Sequence, residues 1–359
     1  PRKINSLIKD EFLDGIPSFR YKKVNIFIGS NASGKTSLCK AIWGVLGFLI
    51  FKEKQAIEVL LSNASLESLI EMDFVEKLDE EYNFFRLKIK YSPANQGSNS
   101  SIKISYNKII LKNGDTYESV CKCLERIGDS FMDYLEVLKC LDFGFGYNII
   151  LPFTEPAFNR IVFLELQNEQ ESEDYEKVLN AVFKTLDPSI LSVKQSKESN
   201  DAYVINYQNG KIIIVQNGMT MSDIPYLSSG TKYGFNIANM ICSIKNHMYG
   251  IYAIDEQFSY TTSDIEIAAL STMISLLGPA EQLFFTTHNT NILSIGLPFH
   301  SFYFMRKKLV EDKQVITVTC GSEKENRNNV SPKNLYDNDV FGTAPIVDLI
   351  LDLGEEDAE

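Results

Sequence analysis

Four short stretches of this 359-residue chain carry residue types whose spacing suits chemistry on phosphates. The first is Gly29-Ser30-Asn31-Ala32-Ser33-Gly34-Lys35-Thr36, which fits the Gly-x4-Gly-Lys-Thr pattern of a phosphate-binding loop. Gly29 and Gly34 free the backbone to fold so that the N–H groups of Ser30, Asn31, Ala32 and Ser33 turn inward on an anion. Lys35 brings a charge to the β- and γ-phosphates of a nucleotide such as ATP, and the Thr36 hydroxyl is a candidate Mg²⁺ ligand. About one chain of this length in a hundred would carry the pattern by chance. Here an apolar strand precedes it and a helix follows.

The second stretch is Asp255-Glu256. Adjacent residues on a strand point to opposite faces, so the two carboxylates can divide the work. Asp255 suits the Mg²⁺ shell, and Glu256 suits the base that polarises an attacking water. The third is His288, one of three histidines. A histidine at a strand end is more often structural, but open α/β sheets gather ligand groups at the carboxyl ends of their strands. His288 there is placed to meet the γ-phosphate. The fourth is Ser228-Ser229-Gly230, a turn that opens an apolar helix and so offers a second anion-binding N-terminus. An ordinary helix cap would look the same.

These residues need elements to hold them. Val24–Ile28 reads as the strand before the loop, and Ser37-Leu38-Cys39-Lys40-Ala41-Ile42-Trp43 as the helix whose N-terminus adds partial positive charge. Gly250–Ile254 and Leu283–Thr287 are the apolar strands that carry the acids and His288. Between loop and acids, residues 35–72 read as helix-rich. The faces Ile57, Leu60, Leu61 and Leu66, Leu69, Ile70 both follow i, i+3, i+4 spacing. Residues 82–91 and 101–106 alternate as half-exposed strands around a hairpin tip at 93–100. The stretch 116–142 returns to helix, Ile149–Leu151 is a core strand, and 165–176 forms an acidic helix. Tyr203 to Val215 makes a hairpin turning at Gln208-Asn209-Gly210. The architecture expected is α/β, and the family resemblance given below implies a P-loop NTPase with a mixed central sheet, an antiparallel β subdomain and a helical/β insertion. Residues 1–45 and 203–359 make the head, split in sequence, and 46–202 an inserted lobe.

Bulk properties narrow the class. Hydrophobic residues make up 44% of the chain, which suits a globular core, and the net charge is −12. That balance disfavours broad nucleic-acid binding, although a local basic patch is compatible with it. The six cysteines lack paired zinc-ligand spacing, which fits reduced thiols and the cytoplasm. No apolar run is long enough to suggest a membrane span.

The order of the four stretches resembles the ABC-class ATPases, the superfamily of transporter nucleotide domains, SMC proteins and RecF. The residues that carry this likeness are the P-loop, Leu227-Ser228-Ser229-Gly230-Thr231, the strand ending Asp255-Glu256, and Thr286-Thr287-His288. Within that class, Ile224-Pro225-Tyr226-Leu227-Ser228-Ser229-Gly230 and the stretch Asp337–Ile346 resemble the ATPases of bacterial phage defence, of the overcoming-lysogenization-defect-like and abortive-infection kinds. The chain departs from the class at Gln257, where proline is usual, at Phe258–Thr262, and at Gly230-Thr231-Lys232. These changes bear on hydrolysis rate more than on nucleotide binding. Gln167 is a distant candidate for the Q-loop residue, and Leu151–Arg160 faintly resembles a Pro-Ala-Glu-Arg loop of the defence group.

The resemblance implies a site shared between protomers, with one P-loop facing the other's signature across ATP. The chain would then act as a homodimer or a larger even-numbered oligomer. Two functional classes follow. One is a sensor or scaffold that regulates a separate effector protein in phage defence. The other is a RecF-like DNA repair ATPase, disfavoured by the acidity and the absence of coiled-coil heptads.

Overall fold

The computed structural model describes residues 8, 11–78, 80–95, 99–141, 146–152, 159–164, 166, 168–199, 201–220, 224, 226–310, 313–325, 327, 330–343 and 351. β1 (Phe12–Leu13) and β2 (Ile16–Arg20) pair antiparallel across Asp14 and Gly15, whose φ of 76° a glycine adopts at little cost. β3 (Val24–Gly29) is buried at every position, as a strand covered on both faces must be. α1 (Lys35–Phe51) follows the loop and ends at Lys52 in a left-handed turn. α2 (Gln55–Glu58) is a single turn. Three strands then run antiparallel: β4 (Ser68–Leu78), β5 (Glu81–Ser92) and β6 (Ser101–Ile110). α3 (Tyr117–Ile127) starts at a reciprocal cap between Thr116 and Ser119. β7 (Met132–Asp133), α4 (Tyr134–Cys140) and β8 (Tyr147–Ile150) follow.

α5 (Glu169–Leu186) is capped by Asn168, and β9 (Ile190–Gln195), β10 (Ala202–Tyr207) and β11 (Ile212–Gln216) form an antiparallel sheet beside it. α6 (Ser229–Lys232) and α7 (Gly234–Lys245) lead to β12 (Ile251–Asp255). α8 (Ser263–Leu276), β13 (Gln282–Thr287) and a 3-10 turn at Thr290–Ser294 come next. β14 (Phe302–Val310), β15 (Lys313–Cys320), α9 (Gly321–Lys324) and α10 (Pro332–Asp337) close the described chain.

The central sheet has strand order β15-β14-β3-β13-β12-β8. All its neighbours run parallel except β14 and β15, so the sheet is mixed, as expected. One core is built from Val24, Ile26 and Ile28 with Tyr252, Ile254, Leu283 and Phe285, closed by α7 and α8. On the opposite face Val45, Phe48 and Leu49 of α1 pack on Leu87, Ile89 and Ile104, which joins the helix after the loop to the four-stranded antiparallel sheet. A third core links Tyr175, Leu179 and Phe183 of α5 to Val193, Ile205 and Phe235.

Two expectations need amending. The face Leu66, Leu69, Ile70 is not helical: β4 pairs with β5 from Ser68↔Tyr91 to Leu78↔Glu81, and that ladder overrides a local i, i+3, i+4 coincidence. Residues 46–202 also contribute β8 to the central sheet, where it pairs with β12, and β9 to the sheet it shares with β10. Parts of the hairpin tip at 93–100, of Leu151–Arg160 and of Asp337–Ile346, together with Gln167, lie outside the described residues. Among the described residues no helix is long and apolar enough to cross a membrane.

Candidate nucleotide site

The loop between β3 and α1 is made possible by two glycines for different reasons. A Cβ on Gly29 would lie 2.5 Å from the Met305 backbone oxygen and 2.6 Å from Ser33 Oγ, so close approach of β14 demands glycine. Gly34 has φ of 99°, in the region L-residues avoid, and it ends the loop by capping α1. Ala32 is also left-handed, at φ 60°. Ser30, Asn31, Ala32 and Ser37 are exposed, whereas Ser33 is buried and its hydroxyl has no hydrogen-bond partner. The first turn of α1 holds no acidic residue, which keeps the helix N-terminus attractive to anions.

Lys35 is buried at 2% exposure. Its ammonium donates to the Gly29 oxygen at 2.8 Å and the Ser30 oxygen at 3.0 Å, and sits 3.3 Å from Glu256 Oε1. Burial lowers its pKa, against the opposing pull of Glu256 and Asp255.

The two acids at the end of β12 are in contrasting states. Asp255 is fully buried. Its Oδ1 accepts the Thr286 hydroxyl, while Oδ2 is buried without a hydrogen-bond partner. Burial pushes its pKa up, and the Thr286 and Thr36 hydroxyls offset that only in part. For Glu256 burial acts in the same direction, but hydrogen bonding and charge from His288, with Lys35 behind them, win and hold its carboxyl below the ordinary value. Glu256 also has φ of 49°, a left-handed conformation held by its N–H donating to Thr286 Oγ1 at 3.2 Å. Strain of that kind persists where neighbours over-determine the backbone.

His288 completes the cluster. Nε2 lies 2.8 Å from Glu256 Oε1, and Nδ1 lies 2.9 Å from the Gly29 oxygen and 3.2 Å from Lys35 Nζ. So the loop, the acids and His288, far apart in sequence, meet at the carboxyl ends of β3, β12 and β13. Ser228, Ser229 and Gly230 sit differently. Ser228 Oγ accepts from Thr231 N–H at 3.1 Å and lies 2.7 Å from its hydroxyl, capping α6. A Cβ on Gly230 would meet the Tyr260 backbone oxygen at 2.8 Å.

Two residues of this neighbourhood make contacts that the sequence did not disclose. Gln257 is buried at 1% exposure, accepts from Asn236 Nδ2 at 2.9 Å, and donates to the Leu151 and Asp255 oxygens at 3.1 and 2.9 Å. It ties α7 and the residue after β8 to the Asp255 backbone at the position where proline would make no such bonds. Glu266 on α8 is buried and lines a cleft of about 280 Å³ with Glu256, His288 and Asn289. Its signal in sequence was an acid sharing a helical stripe with Leu270, Met273 and Ile274.

Two buried, under-satisfied oxygens suit a bound cation and phosphate: Asp255 Oδ2, with Thr36 beside that carboxylate, and Ser33 Oγ inside the loop. Among the described residues no group of three or more His, Cys, Asp and Glu gathers to hold a metal unaided.

Comparison with solved structures finds similarity to SMC head domains. An Smc head bound to the C-winged helix domain of ScpA is 16% identical, over 88% of this chain and 96% of that one, with a TM-score of 0.48. The SMC head domain from Thermotoga maritima is 14% identical, over 86% and 96%, with a TM-score of 0.40. An Smc head with an extended coiled coil, bound to the C-terminal domain of ScpA and derived from Pyrococcus furiosus, is 12% identical over 84% and 92%, with a TM-score of 0.44. No family model and no curated protein matches the chain.

Proposed function

We propose that the chain is an ABC-class ATPase that binds ATP at the Gly29–Ser37 loop, dimerises around it, and regulates a separate effector in bacterial phage defence. The observation that carries the ATPase reading is the convergence of Lys35, Asp255, Glu256 and His288 at one end of the parallel strands. Thr36 and Asp255 would hold Mg²⁺, which when bound neutralises phosphate charge. Lys35 stabilises the same charge. Glu256, kept ionised by His288 and Lys35, accepts a proton from the attacking water. His288 orients Glu256 and ties it to the loop beside the γ-phosphate position. In a homodimer, Ser228–Gly230 would supply a second anion-binding turn to the partner's nucleotide. The head would be residues 1–45 and 203–359 together with β8 and β9, and the rest of 46–202 the platform for the effector. The defence assignment rests on the motif likeness around Ile224–Gly230.

The shared site is tested by mixing variants. Ser228→Arg blocks a partner's nucleotide but leaves its own loop intact, and Lys35→Ala does the reverse. Each alone should be inactive. Mixed dimers carry one site with both lesions and one with neither, so part of the ATPase activity should return. No recovery, with mixed dimers confirmed by mass, counts against sharing. For the effector, the chain should co-purify with a neighbouring gene's product in fixed stoichiometry. ATPase activity stimulated by DNA at moderate salt would instead favour the repair reading.

A further inference from the structure

We propose that Glu266 is the positioning residue that sets His288 against Glu256; the inference rests on the ATPase reading above. The four residues Thr286, Thr287, His288 and Asn289 each reach a carboxylate. Thr286 donates to Asp255 and His288 faces Glu256, while both residues that flank the histidine are bound by Glu266. Thr287 Oγ1 donates to Glu266 Oε1 at 2.5 Å, and Asn289 Nδ2 donates to Oε2 at 2.9 Å. Asn289 N–H in turn donates to Thr287 Oγ1 at 2.9 Å, which closes a ring around the His288 backbone. The histidine ring itself touches the loop and Glu256 on one side and is 35% exposed. Its aim therefore depends on its two neighbours.

Packing alone would not choose an acid here. Glu266 occupies the buried stripe of α8 that continues through Leu270, Met273 and Ile274, where an aliphatic side chain would fit. Burial pushes its carboxyl up, a cost the Thr287 and Asn289 bonds offset only in part. What a carboxylate supplies and no other side chain of that length does is two acceptors in one plane. A glutamine offers one acceptor and one donor, so with its oxygen on Asn289 it must donate to the Thr287 hydroxyl, which reverses that bond and turns the Thr287 proton away from residue 266.

Ring ¹⁵N NMR reads the position of His288 without reference to activity. Three histidines give a simple spectrum, and loss of one signal set in His288→Gln assigns it. In Glu266→Gln the His288 ring signals should move while those of His300, held by Glu11, stay put. Thr287→Val, which cuts one link and keeps the acid, should shift them in the same sense. In turnover, Glu266→Gln should lower kcat about tenfold with ATP affinity changed less than about twofold. Glu266→Gln combined with His288→Gln should be no slower than His288→Gln alone, because the two act in series. Unmoved His288 signals in both folded variants, or additive losses in the double variant, overturn the proposal. Absence of ATPase activity in the wild type would overturn the ATPase reading instead, and the ring signals would still decide whether Glu266 positions His288.

Discussion

The carboxyl end of the parallel strands and the Ser228–Gly230 turn are both anion-binding candidates, but they are built differently. At the strand ends, side chains from β3, β12 and β13 converge. Lys35 touches loop carbonyls and Glu256, His288 touches loop and acid, and Asp255 is held by Thr286. At the turn, Ser228 spends its hydroxyl on its own helix, and Gly230 packs against Tyr260. One region is a network that a single chain closes by itself. The other is exposed and locally satisfied, so the part proposed for it in the chemistry needs a surface outside this chain.

Breaking the closed network should have the largest effect. Lys35→Ala removes the buried charge that the proposed function sets against the phosphates and should weaken ATP binding about a hundredfold, the scale of losing a charged hydrogen bond. Calorimetry with ATP checks it, and binding within a few-fold of wild type would mean the loop does not hold the nucleotide. Glu256→Gln comes next. It keeps shape and hydrogen-bonding capacity but removes the proposed base, so hydrolysis should fall about a hundredfold while ATP still binds and the proposed ATP-bound dimer accumulates. Unchanged phosphate release would remove Glu256 from the mechanism.

The closed network was also the more legible region. Gly29, Gly34, Lys35 and Thr36 form a contiguous pattern with one mechanical reading, and Asp255-Glu256 and His288 end apolar runs that only buried strands explain. The parallel strands followed from those runs, whereas the mixed sheet was expected from the family resemblance, since β14 and β15, the antiparallel pair, were not read from the sequence. Leu66, Leu69 and Ile70 misled because three apolar positions at helical spacing carry less weight than an eleven-residue ladder to β5 that no local window displays. β8 was legible as a core strand but not as part of the central sheet, since its pairing with β12 spans a hundred residues of chain. Glu266 and Gln257 act only through contacts made by folding. An acid in a helix and a glutamine after Asp-Glu look like ordinary surface residues until their neighbours arrive.

A smaller effect separates the two acids. Asp255 has its pKa raised by burial, so its ionised form is disfavoured in the fold. A raised carboxyl contributes stability below its unfolded pKa, and that stability is lost as pH rises through the folded value. Asp255→Asn removes the charge that burial disfavours and should therefore stabilise the nucleotide-free protein at neutral pH. The advantage should fade as pH falls into the ordinary carboxylate range. Glu256 is shifted down, so its contribution runs the other way, present above its unfolded pKa and lost on acidification through the folded value. Thermal melts of both variants across pH check the signs, and parallel profiles would mean the two carboxylates share one environment.

The smallest change sharpens the comparison at the turn. Ser228→Ala deletes the cap on α6 and should cost about 1 kcal/mol of stability. Ser228→Asn restores an oxygen that accepts from the Thr231 N–H, and asparagine caps as well as serine does. The pair therefore divides the two roles open to Ser228. If it only caps its helix, Asn recovers both stability and turnover. If its hydroxyl serves the partner's phosphate, Asn recovers stability alone, because a planar amide is longer and presents its donors elsewhere. Melting temperature and ATPase rate measured on the same preparations separate the outcomes. Full recovery of turnover with asparagine would leave the turn as a structural cap and confine the nucleotide site to the network at the strand ends.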